Sequence, residues 1–350
     1  MNKHLIGSLF VAFTITISLA PSKIVAQTEA DRTPLGTAVL KSDLAAVKEL
    51  LSKGADPNKT HDQETPLVLA TKQKNEEIFT VLVNAKGIKL DAMSTYIWTG
   101  NGSRYTCTAL ISAVHEMKLD EVKILLDKGA NPDLFDKNVT QQGDVTASLT
   151  ALMNALILNR EKGAEMSKMI IAKSKKLDAY STLVKDGVPA IILSARFPAN
   201  NEVTRLLVKK GAKLEMPGAD NPGFTAIGSA IIGSNPEMVK FLIDSGAKMN
   251  DKKDKAFLHL SMAIGIENLK TIELLLDYGI DPNIRFSSSK YPVIIPATKC
   301  KNPEVLEYLI SRGADVNAKD GIGQSVLKYA NGGKKFKKNI AILKAHGAVE

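Results

Sequence analysis

The sequence predicts an all-α solenoid of about nine helix–turn–helix repeats, and three observations lead to this fold class. A short motif recurs nine times, a second apolar motif follows most of its copies, and aromatic residues are scarce. The chain has 350 residues, of which 44% are hydrophobic and only 5% aromatic, with a single Trp. A core of Ala, Leu, Ile and Val therefore favours small helices in close contact.

The first motif is Thr-Pro-Leu-x-x-Ala or a near relative, and its copies lie 32 to 43 residues apart. They begin at Thr33, Thr65, Thr108, Thr150, Ala190, Thr225, Leu258, Pro292 and Ser325. A Thr before Pro predicts a helix start, because the Thr side chain caps free N–H groups and Pro is tolerated in the first turn. The third position is Leu or Ile in every copy, which predicts one apolar stripe through the repeats.

The second motif is an apolar stretch that ends in Gly, such as VKELLSKGADPN over 47–58. Six glycines are predicted to end a helix in the left-handed conformation that Gly adopts easily: Gly54, Gly129, Gly211, Gly246, Gly279 and Gly313. The fourth copy, MIIAKSKKLDAY over 169–180, lacks this Gly. A distorted turn is therefore expected there.

In this order and phase the two motifs resemble the ankyrin repeat family. The resemblance covers residues 27–350 and implies paired antiparallel helices with hairpin loops projecting from one side. Each repeat of such an array buries its apolar faces only against its neighbours. One departure is that the His usual at the fourth position of the first motif is absent from every copy.

Residues 1–26 have the pattern of a secretory signal peptide. Lys3 and His4 form a short basic start, an apolar run follows over 5–20, and Ala26 offers a small residue at the cleavage point. An uncleaved membrane anchor is the alternative, although the run is shorter than the ~20 residues of a spanning helix. Residues 27–350 would then form a periplasmic or secreted domain without a membrane span, monomeric on its own.

The charge of the chain points to an acidic partner. The formal net charge is +9 and falls to +7 when Lys3 and Lys23 leave with the signal peptide. The excess is rich in Lys and lacks the clustered Arg and interleaved aromatics of a nucleic-acid site, so no nucleic acid is expected. The first helices would place several basic residues on the concave side, where an ordinary solvated face is the alternative: Lys41, Lys72, Lys74, His115 and Lys118.

No enzyme, cofactor or metal site is expected. The four histidines that remain after cleavage lie in different repeats and lack metal-ligand spacing: His61, His115, His259 and His346. Cys107 and Cys300 lie five repeats apart, roughly 50 Å if helices pack 8–10 Å from one another. A disulfide needs Cα atoms within about 7 Å, so two free thiols are expected.

Four insertions carry the predicted binding residues, and each lies between the second helix of one repeat and the first helix of the next. They span residues 91–106, 134–148, 215–224 and 285–291. Aromatic and Arg side chains dominate interface hot spots, although these rings alternatively fold back onto the helices. The candidates are Tyr96, Ile97, Trp98, Arg104, Tyr105, Phe135, Arg285, Phe286 and Tyr291.

The predicted function is that of an extracytoplasmic protein–protein interaction module. An exported repeat array without chemistry of its own needs a partner, and such arrays supply large preformed surfaces. The expected partner is an exported enzyme or envelope protein with an acidic surface, and one specific role is that of an inhibitor or antidote of a periplasmic enzyme. The alternative is a secreted effector that binds a host protein.

Overall fold

The computed structural model describes residues 32–97, 103–140, 143–158, 161–179, 181, 187–215, 225–249, 253–331 and 336–350. The predicted signal peptide, residues 1–26, lies outside this part of the chain. The structure is largely helical, and none of the helices it describes is both long and apolar enough to cross a bilayer. The chain divides into two compact units, an N-terminal unit up to Ala190 and a C-terminal unit from Ile191 to Glu350.

The N-terminal unit consists of helix pairs arranged in two layers. The pairs are α1 (Pro34–Leu40) with α2 (Leu44–Ser52), α3 (Pro66–Thr71) with α4 (Glu76–Val83), α5 (Ala109–His115) with α6 (Leu119–Asp127), and α7 (Ala151–Ile157) with α8 (Glu161–Lys173). The two helices of a pair pack together, and the first helices of successive pairs pack side by side in a row. The apolar core lies between these layers.

The C-terminal unit continues the same pattern of helices. They are α9 (Ala190–Ala195), α10 (Asn201–Lys209), α11 (Ala226–Ile232), α12 (Pro236–Asp244), α13 (Lys253–Gly265), α14 (Leu269–Asp277), α15 (Ile294–Ala297), α16 (Glu304–Ser311), α17 (Val326–Ala330) and α18 (Lys337–Ala345). From α11 onward, the first helices of successive pairs again pack in one row, and in the second layer α12 packs on α14 and α16 on α18.

The predicted helix caps are present in six of the nine motifs. In each, the hydroxyl of the capping residue accepts a hydrogen bond from the backbone N–H three residues later: Thr33, Thr65, Thr108, Thr150, Thr225 and Ser325. The seventh motif differs, because α13 begins at Lys253, five residues before Leu258. Leu258 has no capping side chain, so nothing at that position stops the helix from beginning earlier.

The predicted glycine turns are confirmed. The six glycines named above have φ between 85° and 95°, the left-handed region that ends a helix. The fourth repeat, which lacks the Gly, has a helix of 13 residues, and its turn is tied to the preceding repeat. The hydroxyl of Ser174 and the N–H of Lys175 both donate to the carboxylate of Asp133.

Side-chain amides in the turns link consecutive repeats. Asn58 accepts from the N–H of Lys89 at 2.7 Å and donates to the carbonyl of Gly87 at 2.9 Å. The same pair of bonds joins Asn283 to Asp315 and Gly313, and Asn317 to Val349 and Gly347. Each link satisfies backbone groups at the end of the next repeat's second helix, so it sets the register between neighbours.

We expect Asn283→Ala to lower the free energy of unfolding by about 1–2 kcal/mol, because it removes two hydrogen bonds of about 1 kcal/mol each. Asn283→Asp is the matched control, since a carboxylate keeps the acceptor and loses only the donor. Urea unfolding followed by circular dichroism measures both variants. A midpoint of Asn283→Ala equal to that of the wild type would contradict the assigned role of this link.

Candidate protein-binding surface

Two of the predicted insertions in the N-terminal unit fold into one antiparallel sheet. Its strands are β1 (Ser94–Ile97), β2 (Arg104–Cys107), β3 (Lys137–Val139) and β4 (Val145–Ala147), hydrogen-bonded in that order. Each insertion supplies one hairpin, and β2 pairs with β3 to join them. The all-α fold class therefore describes the helices but leaves out this sheet, whose strands are rich in Thr, Val and Tyr.

The inner face of the sheet packs on the helices. Ser94 and Cys107 are buried, and Tyr105 is 8% exposed. Tyr96 lies directly opposite Tyr105, and the two ring centroids are 5.1 Å apart. The ammonium of Lys72 lies 4.1 Å from the centroid of the Tyr96 ring, a cation–π contact. Both predicted tyrosines thus face inward rather than toward solvent.

A buried polar network fastens the sheet to the first helices. The carboxylate of Asp136 accepts from the hydroxyl of Tyr105 at 2.7 Å, the amide of Asn154 at 2.8 Å and the N–H of Leu149 at 2.6 Å. Nε2 of His115 lies 2.9 Å from Oδ1 of Asn154. Burial raises the pKa of Asp136, and the bonds from Asn154 and Tyr105 oppose this rise. One carboxylate therefore holds β2 and α7 together.

The outer face of the sheet carries the alternate residues. Thr95 and Thr106 lie opposite each other, with their hydroxyl oxygens 2.9 Å apart. Arg104 and Lys137 are exposed, and Val145 at the edge strand is 55% exposed. Of the predicted binding residues in this insertion, Arg104 is the one that the structure places on the outer face, and Ile97 pairs with it across the strands.

The other predicted residues have different surroundings. Trp98 lies outside the described residues. Phe135 is half-buried and forms an isolated bridge with Thr150, at the start of α7. Arg285, in the C-terminal unit, donates from its guanidinium to the carbonyl of Lys319 in the next turn.

Phe286 and Tyr291 belong to an aromatic cluster in the C-terminal unit. The ring centroid of Phe257 on α13 lies 5.4 Å from that of Phe286 and 6.4 Å from that of Tyr291. Tyr291 also meets Tyr329 of α17 edge to face at 5.6 Å. Burial raises the pKa of Tyr291. These rings fold back onto neighbouring helices, which is the alternative that the sequence left open for them.

The two cysteines of the chain are buried. Burial raises the pKa of the Cys107 and Cys300 thiols to about 12, so both stay protonated and unreactive at neutral pH. Both are free. Within the described part of the chain, no group of His, Cys, Asp and Glu side chains is suited to a metal ion.

Glu121 on α6 is a buried carboxyl whose titration bears on stability. It is 3% exposed, and one of its carboxylate oxygens has no hydrogen-bond partner among the described residues. Burial raises its pKa from 4.5 to about 7, against the opposing effect of Lys118. A pKa near neutrality suits a general acid or base, but such a role also needs a nucleophile or substrate site beside it.

The comparisons with known proteins point to one family. The model described as Ankyrin repeats (3 copies) matches residues 12–94, 35–136 and 161–254, and the model Ankyrin repeat matches residues 295–321. The matched stretches cover more than half of the chain. The first of them begins within the predicted signal peptide.

The similar proteins are diverse and mostly longer. An ankyrin repeat protein of fowlpox virus is 26% identical over 245 residues, 66% of this chain and 43% of that protein. Transient receptor potential cation channel subfamily A member 1 of Homo sapiens is 26% identical over 303 residues, which are 84% of this chain and 25% of that protein. An ankyrin repeat-containing protein of Treponema pallidum is 26% identical over 164 residues, which are 46% of this chain and 54% of that protein. The chain spans less than two thirds of the length of each.

We expect Tyr105→Phe to destabilise the chain by about 1–3 kcal/mol, because it leaves a buried carboxylate oxygen of Asp136 with one donor fewer. Tyr329→Phe is the matched control, since its hydroxyl donates at 2.6 Å to Asp320, which is less buried and keeps two backbone donors. Thermal unfolding measures both. Equal losses of thermal stability in the two variants would contradict the claim that the burial of Asp136 makes its hydrogen bonds more important.

Glu121 predicts a pH dependence of stability. Because its pKa is higher in the folded chain than its ordinary 4.5, the folded state holds the proton more tightly. The stabilising contribution is complete below about pH 4.5 and is lost as the pH rises to about 7. With screening by solvent, the loss is on the order of 1–3 kcal/mol.

Glu121→Gln cannot lose this proton, so its free energy of unfolding is expected to fall less than that of the wild type between pH 4.5 and 7. Urea unfolding at several pH values measures the difference. Glu165→Gln, at an exposed position of the same unit, is the control and is expected to follow the wild type. Parallel pH profiles for the wild type and Glu121→Gln would show that the folded state does not perturb this carboxyl.

Proposed function

The chain belongs to the ankyrin repeat family, and on this premise we propose that it is an extracytoplasmic protein-binding module of nine repeats with hairpin loops on one flank. Ankyrin repeats indicate a protein–protein interaction module and are generally non-enzymatic, and the comparisons indicate no catalytic family. The nine motif starts and the nine successive pairs of described helices support the number of repeats.

The observation that carries the proposal is the four-stranded sheet of the N-terminal unit. Its inner face is held by the Asp136 network, and its outer face presents exposed side chains. A surface that is already ordered loses little conformational freedom when a partner binds, so more of the contact energy remains as affinity. Two insertions that fold together in this way support a role in recognition beyond the stability of the repeats.

The proposed partner is an exported enzyme or an envelope protein with an acidic surface. The Lys-rich composition and net charge of +9 favour association with acidic proteins. The proposed location, periplasmic or secreted, rests on the pattern of residues 1–26. A specific form of the proposal is an inhibitor or antidote that covers the active site of a periplasmic enzyme, with the chain monomeric until the partner binds.

A secreted effector that binds a host protein is the second candidate. The same N-terminal pattern and the same binding surface support it, since both candidates require export and a protein partner. The final location of the protein distinguishes them: an antidote of a periplasmic enzyme is retained in the periplasm, whereas an effector leaves the producing cell.

We expect the mature protein to begin at Gln27 and to be recovered outside the cytoplasm with one partner in stoichiometric amount. N-terminal sequencing, cell fractionation and affinity capture from an envelope extract with the full tagged chain measure these outcomes. Val11→Asp, which places a charge in the apolar run, is the control and is expected to remain cytoplasmic with an intact N-terminus. A cytoplasmic wild type, or capture without a stoichiometric partner, would argue against the proposal.

A further inference from the structure

We propose that the outer face of the four-stranded sheet binds an acidic segment of the partner protein that carries apolar side chains beside its carboxylates. The outer face is defined here as Thr95, Arg104, Thr106, Lys137, Val139 and Val145. The inference rests on the proposed function and adds to it the place of contact and the chemistry of the partner.

The strand register arranges the outer face in two rows. Arg104 lies opposite Val139, which lies opposite Val145, so one row joins a cation to apolar side chains. Thr106 lies opposite Lys137 and forms the second row. Arg104 and Lys137 are diagonal neighbours on adjacent strands, about 7–8 Å apart. Both cations therefore reach carboxylates of one bound segment.

The two cations of the outer face are not neutralised by any residue that the structure describes. Neither Arg104 nor Lys137 forms an ion pair in the part of the chain that the structure describes. The carboxylate of Asp136, next to Lys137 in sequence, faces the opposite side of the sheet and is bound by internal donors. The exposed carboxylate of Asp144 lies beyond the strands, in the β3–β4 turn.

Two lysines of the first helices, Lys72 and Lys118, contrast with this pair. Lys72 donates to Glu64 and lies over the ring of Tyr96. Lys118 donates to the carbonyl of Gln73 at 3.0 Å and lies 3.4 Å from Glu121. The sequence places these two lysines among the candidate contacts for an acidic protein. In the structure, groups of this chain already bind both of them. Compared with these two lysines, the cations of the outer face are therefore more available to an external carboxylate.

The partner meets the face of the sheet rather than the edge at β1. The N–H of Thr95 donates to the carbonyl of Gln63 at 3.1 Å, so the preceding turn already occupies that edge. An acidic, partly apolar segment fits the face because Arg forms forked bonds with carboxylates and the exposed Val145 gains from burial. Charge complementarity thus selects one kind of occupant.

The test uses a blocked peptide of about ten residues, rich in Asp and Glu with two Leu, and a Lys-substituted counterpart. The full mature chain is titrated with each, and the fluorescence of Trp98, the single Trp and the residue directly after β1, reports binding. We expect the acidic peptide to bind with a salt-dependent affinity and the Lys peptide not to bind. Arg104→Glu with Lys137→Glu is expected to weaken binding at least about tenfold.

Lys123→Glu with Lys128→Glu is the matched control, because both residues are exposed in the same unit and the charge changes equally. This control is expected to bind as the wild type does. An equal loss in both double variants, or no binding of the acidic peptide, would overturn the inference. Stronger binding of duplex DNA or of anionic vesicles at the same residues would also overturn it. If circular dichroism shows that the Glu variant is unfolded, Arg104→Gln with Lys137→Gln replaces it. This variant is expected to lose less affinity for the acidic peptide than the Glu variant would.

Affinity capture separates this inference from the function on which it rests. If the wild type captures a stoichiometric partner from the envelope extract and Arg104→Glu with Lys137→Glu captures the same amount, the protein is a binding module but the outer face is not its site. If neither chain captures a partner, the proposed function itself is wrong. Loss of the partner only from the variant supports both.

Discussion

The links between consecutive repeats are the constraint on which the rest of the structure depends. A single helix pair cannot cover its own apolar faces, so its stability comes from its neighbours. The amides of Asn58, Asn283 and Asn317 each bind backbone groups in the turn of the next repeat. These bonds join turns that would otherwise be loose loops. They therefore set the register between these neighbouring repeats, whose first helices pack in one row.

The sheet is a consequence of this regular spacing. Insertions 91–106 and 134–148 leave consecutive repeats at corresponding points, so β2 and β3 come close enough to pair. Pairing joins both hairpins into one sheet, whereas an isolated two-stranded hairpin is only marginally stable in water. The Asp136 carboxylate then ties the sheet to α7, and the cost of burying that charge is offset by three hydrogen bonds.

Four basic residues of the N-terminal unit differ in whether the fold already compensates their charge. Lys72 and Lys118 have partners inside the N-terminal unit, whereas Arg104 and Lys137 stand on the outer face without a carboxylate among the described residues. An internal ion pair gains little from a new partner, because its charge is already compensated. Net charge alone therefore favours an acidic partner, and the internal pairs favour the outer face over Lys72 and Lys118 as its place of contact.

The sequence by itself determined the repeats, the hydroxyl caps and the glycine turns, because each depends on residues within one turn of helix. It also located the insertions between the repeats. Only the tertiary structure decided that two insertions form one sheet, that Tyr105 faces inward and Arg104 outward, and that α13 begins before its motif. The physical reason is that a strand's inner and outer residues follow from its pairing with a distant strand, which local sequence does not specify.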